Sequence, residues 1–349
     1  MHRPTAPSLL PCARATTWRG LRFLAGVAAL SLLSLPALAQ GKGLEEPSRA
    51  DYYKTLNGKT VAFVAGAMVI DLTQGWYGGI RRELEPLGVK FVLRDANFSA
   101  DAGAQAITNL IGEKPDIIIV HNLDVTTNAR LLQRAEAAGI YVLQINMRST
   151  YSSAGYIGPD WVDMGEKQAE AVVASCKGKS NKIAIVQGAI SAAASAYTLK
   201  GVENVLAKHP EVKVVSSQPA DWDVAKAKAL TQTVLKSNPD LCGIVGFWDG
   251  MDIGTAAAIK ESNLTGKVFL STSGGGAQKS ACDMVKAGSF DHYMNYNVEA
   301  QITTMSTMIK WLLQSGVKPG TSKGAIFSQL TPITKDPATQ RCWTLEAVK

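Results

Sequence analysis

From Lys59 onward the chain alternates between short unbroken apolar runs and longer amphipathic stretches. The runs TVAFVAG (60–66), VKFVLRD (89–95), PDIIIVH (115–121) and IYVLQIN (140–146) predict strands. Between them, WYGGIRRELEPLG (76–88), AGAQAITNLIGEK (102–114) and TTNARLLQRAEAAG (126–139) predict helices. Asp101 is the expected N-cap of the second helix, and Gly139 stands where a helix C-terminus favours glycine. Apolar runs that do not alternate suit parallel strands covered on both faces. Strand, helix and strand in turn require right-handed crossovers and a doubly wound sheet.

After GYIGPDW (155–161) the pattern restarts, with helices expected at 162–176, 196–208, 223–237 and 250–262. The strands between them are expected at 182–187, 211–217, 241–247 and 267–272. The fold class is therefore α/β, with two doubly wound, Rossmann-like lobes joined by three crossover segments. Residues 59–155 and 296–315 are assigned to the first lobe, and 156–295 and 316–349 to the second. Crossings are expected near 154–160, 272–274 and 288–298, and AIFSQLTPI (325–333) is expected to extend the second sheet. Residues 40–58 read as a polar leader with little periodicity.

The N-terminal segment changes the setting. Residues 1–22 carry four arginines and no acid, residues 23–35 are apolar, and PALAQ follows with small Ala37 and Ala39. That order is a secretory signal, with cleavage expected after Ala39 and the periplasm as destination. The apolar run is short of the ~20 residues that span a bilayer. Without the four signal arginines the formal charge falls from +7 to +3, so the basic balance gives no support for a nucleic-acid partner. Cys12 belongs to the signal, and Cys176, Cys242, Cys282 and Cys342 remain. An even count in an oxidising compartment favours disulfides, and four cysteines allow three pairings. Cys176 ends a helix and Cys242 starts a strand at the same end of the second sheet. Cys282 lies on a helix of that lobe and Cys342 in the tail, so 176–242 and 282–342 are the expected pairs. His2, His121, His209 and His292 are scattered, and no C-x₂-C pair is present, so neither metal nor cofactor is expected.

In doubly wound sheets, ligands bind beyond the carboxyl ends of the strands. In the first half those positions hold Asp71, Gln74, Trp76 and Tyr77, then Asp95 and Asn97, Asn122 and Asp124, and Asn146 and Arg148. In the second half they hold Tyr197 and Thr198, then Asp221, Trp222 and Asp223, Trp248 and Asp249, Ser273, and Tyr296 and Asn297. Aromatic faces with hydrogen-bonding groups among them suit a small ring or carbon skeleton held in one orientation. The competing explanations are local: Asp223 before a helix serves as an N-cap, and a loop tryptophan caps the packing beneath it.

The order of elements, the signal and the stretch SSQPADWD (216–223) resemble the periplasmic substrate-binding proteins of ribose-type ABC transporters, the type I periplasmic binding protein family. The resemblance covers nearly all of 59–330. It implies a clamp that closes on a ligand between the lobes and presents it to a membrane permease, without catalysis, as a monomer. The family's aromatic pair after the first strand matches Trp76 and Tyr77, and its aromatic contact in the QPAD segment matches Trp222. Elsewhere the chain departs from the pattern. The family's Asp-Arg pair becomes Asn146 and Met147, with Arg148 one step on, and an arginine that clamps hydroxyls falls near Thr198. The Asn-Asp pair becomes Trp248 and Asp249, the Phe-Asp-Gly becomes Thr272, Ser273 and Gly274, and the late glutamine falls near Tyr296 or Asn297. Charge-assisted hydrogen bonds are the strong ones for hydroxyls. Their loss favours a polyol, a modified sugar or another small organic molecule over an ordinary pentose or hexose.

Three other readings are weaker. VAGAMVIDLTQGW is not a dinucleotide fingerprint, and SGGG (273–276) lacks the G-K-[ST] ending of a phosphate loop. No G-x-S-x-G elbow is present, and no nucleophile accompanies His121 and Asp124. The same two-lobe fold also serves ligand-binding partners of chemoreceptors and sensor kinases, which leaves sensing open beside uptake.

Overall fold

A computed structural model describes residues 47–348. The expected signal (1–39) and the first part of the polar leader lie outside the described residues. The rest of the leader is not featureless. Helix α1 (Pro47–Leu56) occupies it and packs on the last long helix, with Leu56 fully buried.

The first lobe then runs β1 (Thr60–Ala65), α2 (Asp71–Leu84), β2 (Lys90–Asp95), α3 (Ala100–Glu113), β3 (Ile117–Val120), α4 (Ala129–Ala137), β4 (Tyr141–Ile145) and β5 (Gly155–Gly158). The second runs α5 (Trp161–Cys176), β6 (Lys182–Gln187), α6 (Ala193–Leu206), β7 (Lys213–Pro219), α7 (Val224–Ser237), β8 (Gly243–Gly246), α8 (Asp249–Glu261), β9 (Phe269–Gly274), α9 (Cys282–Lys286) and β10 (His292–Asn295). The chain returns through α10 (Val298–Ser315), β11 (Ala325–Phe327), β12 (Thr331–Ile333) and α11 (Leu345–Val348). One sheet has the order β11-β5-β4-β3-β1-β2 and the other β12-β10-β9-β8-β6-β7. All pairings are parallel except β12 on β10. The unbroken apolar run Ile117–Val120 is buried throughout, as a central strand under helices on both faces must be.

Four boundaries differ from the sequence expectation. Helix α2 starts at Asp71, so Trp76 sits inside it rather than at its beginning. The expected start left Gly75 outside the helix and Gly79 inside it, and both lie within α2 where a neighbour comes close, Trp343 over Gly75 and Ile302 over Gly79. The cap of α3 is Ser99, whose side chain accepts from Ala102 N at 3.2 Å, and Asp101 lies within the first turn. AIFSQLTPI does not extend one sheet: β11 pairs with β5 in the first and β12 with β10 in the second. The chain therefore crosses between sheets at 158–161, 295–298 and 327–331, while 272–274 lies within β9.

The tail is divided as well. Cys342 is bonded to Cys282, and Cys176 to Cys242, with Cα separations of 6.2 and 5.4 Å. Just past Cys342, Trp343 donates to Gly275 O at 2.8 Å while its ring rests on Gly75 of α2. No helix among the described residues is long and apolar enough to cross a membrane.

Candidate ligand-binding cleft

The strand order reverses at β1 and β3 in one sheet and at β6 and β8 in the other. The loops leaving these strands face one cleft. Its inner pocket lies between Asn146 and Met147 of the first lobe, Trp222 and Trp248 of the second, and Trp161 and Tyr296 at the crossings. A wider outer cleft shares Phe98, Trp222 and Trp248 and adds Asp71, Asp249 and Ser280. Beside the cleft the lobes touch directly, where Val125 N donates to Ser191 O at 2.9 Å.

Two loops bring aromatics to this pocket with unusual backbones. Phe98 has φ +61° and Trp222 has φ +64°. The left-handed region is unfavourable for a bulky residue and persists only where the surroundings enforce it. After β7, Ala220 N donates to Gln187 O at 2.8 Å and Asp223 N to Ala220 O at 2.9 Å. Asp223 then caps α7 through Lys226 N at 2.8 Å and lines the outer cleft. Trp222 lies flat over Gly188, where any Cβ would collide with the indole. Its ring meets Trp248 edge-on, with centroids 6.2 Å apart.

Asn146 is held at φ +60° directly after β4. Its carbonyl accepts from Trp161 Nε1 at 2.8 Å and from the Tyr156 hydroxyl at 2.6 Å, which fixes Trp161 as a wall. Its side-chain Oδ1 is buried with no partner. His121 is only 6 % exposed, and neither ring nitrogen has a partner. Burial pushes its pKa down to about 4, so the ring is neutral. Tyr296 packs edge-on against Trp161 at 5.5 Å, and burial drives its phenol well above the ordinary range.

Two carboxylates support the Trp248 wall. Asp249 accepts from Ser280 Oγ at 2.6 Å and the Tyr293 hydroxyl at 2.8 Å. Asp252 accepts from Thr272 Oγ1 at 2.6 Å, Thr255 Oγ1 at 3.0 Å and Trp248 N at 3.3 Å. Burial raises their pKa values to about 6 and about 7, against the pull of those hydrogen bonds.

Of the residues expected from sequence, Asn146, Trp222, Trp248 and Tyr296 line the inner pocket, and Asp71, Asp223 and Asp249 the outer cleft. The others do not. Trp76 is fully buried in the first core, donating to Gln301 Oε1 at 2.8 Å with its ring edge-on to His121. Gln74 and Tyr77 sit on a different face of α2, where Gln74 donates to Met68 O at 2.9 Å and Tyr77 packs against Phe63. Arg148 stacks over Tyr197 of the other lobe at 5.1 Å, a cation–π contact beside the pocket. Thr198 is buried where α5 meets α6. Ser273 Oγ donates to Phe247 O at 3.0 Å, and Asn297 caps α10 through Ala300 N at 3.0 Å.

Among the loop residues, Asp95 anchors the β1–α2 loop by accepting from Met68 N at 3.1 Å, and Asn97 carries the turn at φ +46°. Asn122 bridges Gln144 and Met147, while Asp221 pairs with Lys226 at the surface. Asp124 would be raised by burial, but accepting from Thr126 and Thr127 N holds it well below the usual range. Sequence reasoning missed Phe98, Trp161 and Phe247 as pocket walls and gave His121 no binding role. Phe98 was findable, because it follows the β2 strand as Trp222 follows β7.

A family model described as a periplasmic binding protein domain matches residues 61–317. The chain belongs to this family. Its members are transport binding proteins rather than enzymes. The chain is 27 % identical to the xylitol-binding protein of Mycolicibacterium smegmatis over 72 % of its length and 71 % of that protein's. It is 26 % identical to the ribose import binding protein of Bacillus subtilis, over 67 % and 75 %. Among solved structures, an ABC transporter solute-binding protein of Burkholderia graminis in complex with D-arabinose superposes with TM-score 0.73, at 23 % identity, covering 82 % of this chain and 99 % of that one. The myo-inositol binding protein of Caulobacter gives 0.72 at 20 % identity, covering 79 % and 93 %. At these identities the solved structures establish the shared fold.

Proposed function

We propose that the chain is the periplasmic solute-binding component of an ABC importer, capturing a small, uncharged, sugar-like or polyol ligand between its lobes. The observation that carries this reading is the inner pocket at the reversal point of both sheets, walled by aromatics from both lobes around buried, unpartnered Asn146 and His121 atoms. The xylitol- and ribose-binding relatives support the ligand class. Ligand contacts fall to Asn146, Trp222, Trp248 and Tyr296, with Phe98 and His121 added. Closure about the crossings is a hinge motion, and an open form must be populated for entry and release. The closed form presents both lobes to a permease. The chain acts as a monomer after its signal is removed behind Ala39.

A ligand that binds only the folded protein raises its melting temperature. A thermal-shift screen of the exported protein against sugars, polyols, nucleosides and small aromatics tests the reading. Stabilisation by a sugar or polyol supports it, and stabilisation only by charged metabolites overturns it.

A further inference from the structure

The inner pocket indicates its ligand by what its walls can accept. Among the described residues, no Asp, Glu, Lys or Arg lines it. Three of its side chains can take a proton from a ligand hydroxyl: a ring nitrogen of neutral His121, Oδ1 of Asn146 and the Tyr296 oxygen. The first two belong to residues more than nine-tenths buried, and their acceptor atoms have no partner in the protein. Several nearby backbone carbonyls already accept a bond from the protein. Gly66 O accepts from Phe98 N, Asn146 O from Trp161 and Tyr156, Met147 O from Asn122, and Phe247 O from Ser273. The remaining walls, Phe98, Trp222, Phe247 and Trp248, present carbon faces.

A fully hydroxylated ring would bring more hydroxyl protons into this space than these three side-chain acceptors can hold, leaving the excess to carbonyls that already serve the protein. Each buried hydroxyl left without a partner weakens binding about tenfold, the equivalent of about 1.4 kcal/mol. A purely apolar ring fails differently, because it leaves His121 and Asn146 unanswered. Resting on the solute-binding reading above, we propose that the ligand is an uncharged ring with one to three hydrogen-bonding groups and apolar faces: a deoxygenated sugar or a sparsely hydroxylated cyclic alcohol. Trp222 and Trp248, which stand edge to face, hold such a ring at two angles, and His121 with Asn146 sets its orientation.

The test is calorimetric titration of the intact exported protein with matched rings. One set is myo-inositol, cyclohexanediol and cyclohexane, and the other is D-galactose and D-fucose, which differ by one hydroxyl. The expected order puts cyclohexanediol tightest in its set, at least about tenfold ahead of myo-inositol, and D-fucose ahead of D-galactose. If myo-inositol and D-galactose bind as tightly as their deoxygenated partners or more so, the proposed class is overturned while the solute-binding reading stands. Binding by none of the rings also overturns the class, and the broader thermal-shift screen then decides the solute-binding reading separately.

Discussion

Phe98 and Trp222 occupy the same place in the two lobes. Each follows the edge strand of its parallel set, β2 or β7, and each has a left-handed backbone between an Asn or Asp and the N-cap of the next helix. The hydrogen bonds match as well. Ala96 N donates to Ala65 O at 2.9 Å and Ser99 N to Ala96 O at 2.8 Å, as Ala220 and Asp223 do in the second lobe. One turn, used twice, supplies one aromatic jaw to each side of the cleft.

Removing either jaw should weaken binding with little effect on folding. Losing an aromatic face costs about 1–3 kcal/mol, or roughly a ten- to hundredfold rise in Kd. Phe98→Ala is the cleaner variant, because Phe98 is 46 % exposed and its loss empties no core. Trp222→Ala should behave alike. Unchanged calorimetric affinity in both variants would reduce the two aromatics to loop caps.

Gly188 has no room for a side chain beneath the Trp222 ring. Gly188→Ala must lift the indole away from the pocket, so it should reproduce most of the Trp222→Ala binding defect without touching the ligand itself. The double variant should then lose little more than Trp222→Ala alone, since both act through one ring. Additive losses in the double-mutant cycle would separate the two residues.

The order of elements was legible because each buried strand is a short unbroken apolar run, and that pattern depends on no distant contact. The site was legible only in part. The rule that ligands gather at strand ends reached Asn146, Trp222, Trp248 and Tyr296. It failed at Trp76, because the helix expected from Trp76 begins at Asp71 and turns Trp76 into the core, and Gly75, ahead of the expected start, sits in the helix under Trp343, more than 200 residues away. The segment 325–333 failed for a related reason. β11 and β12 are three residues each, too short for periodicity to say which sheet edge either one joins.

Trp76 therefore belongs to stability, and Trp76→Phe tests the assignment. The variant keeps most of the ring volume but leaves Gln301 Oε1 without its 2.8 Å donor in a buried site. A loss of about 1–3 kcal/mol in denaturant unfolding is expected, with ligand affinity held within about twofold. A selective loss of affinity would return Trp76 to the binding surface.

The Cys282–Cys342 bond should matter to the tail. It closes a loop across 60 positions and holds Trp343 against Gly275 and α2. Replacing both cysteines by serine should cost about 2–4 kcal/mol of stability. Proteolysis should then begin in the C-terminal segment, with mass spectrometry locating the first cuts after β12. Cuts that begin elsewhere would show that the tail is held by its packing alone.

Asp249 and Asp252 make a pH dependence whose sign can be worked out. Burial raises them to about 6 and about 7 from an ordinary 3.8, so the folded protein binds protons that the unfolded chain has released. Their contribution is fully present below about pH 4 and is lost as pH rises through 6 and 7. Buried His121 and His292, lowered to about 4, act in the opposite direction, losing stability as pH falls below the ordinary histidine range. The wild-type profile mixes both effects, but the difference between Asp252→Asn and wild type isolates the carboxylate. The amide cannot ionise, so the variant should gain on wild type as pH rises from about 4 to about 7, by at most about 1.4 kcal/mol per pH unit. Above that range the difference should level off. Denaturant unfolding of both proteins at several pH values measures it. A constant difference would mean that Asp252 titrates as an ordinary carboxylate and that the floor beneath Trp248 carries a charge at neutral pH.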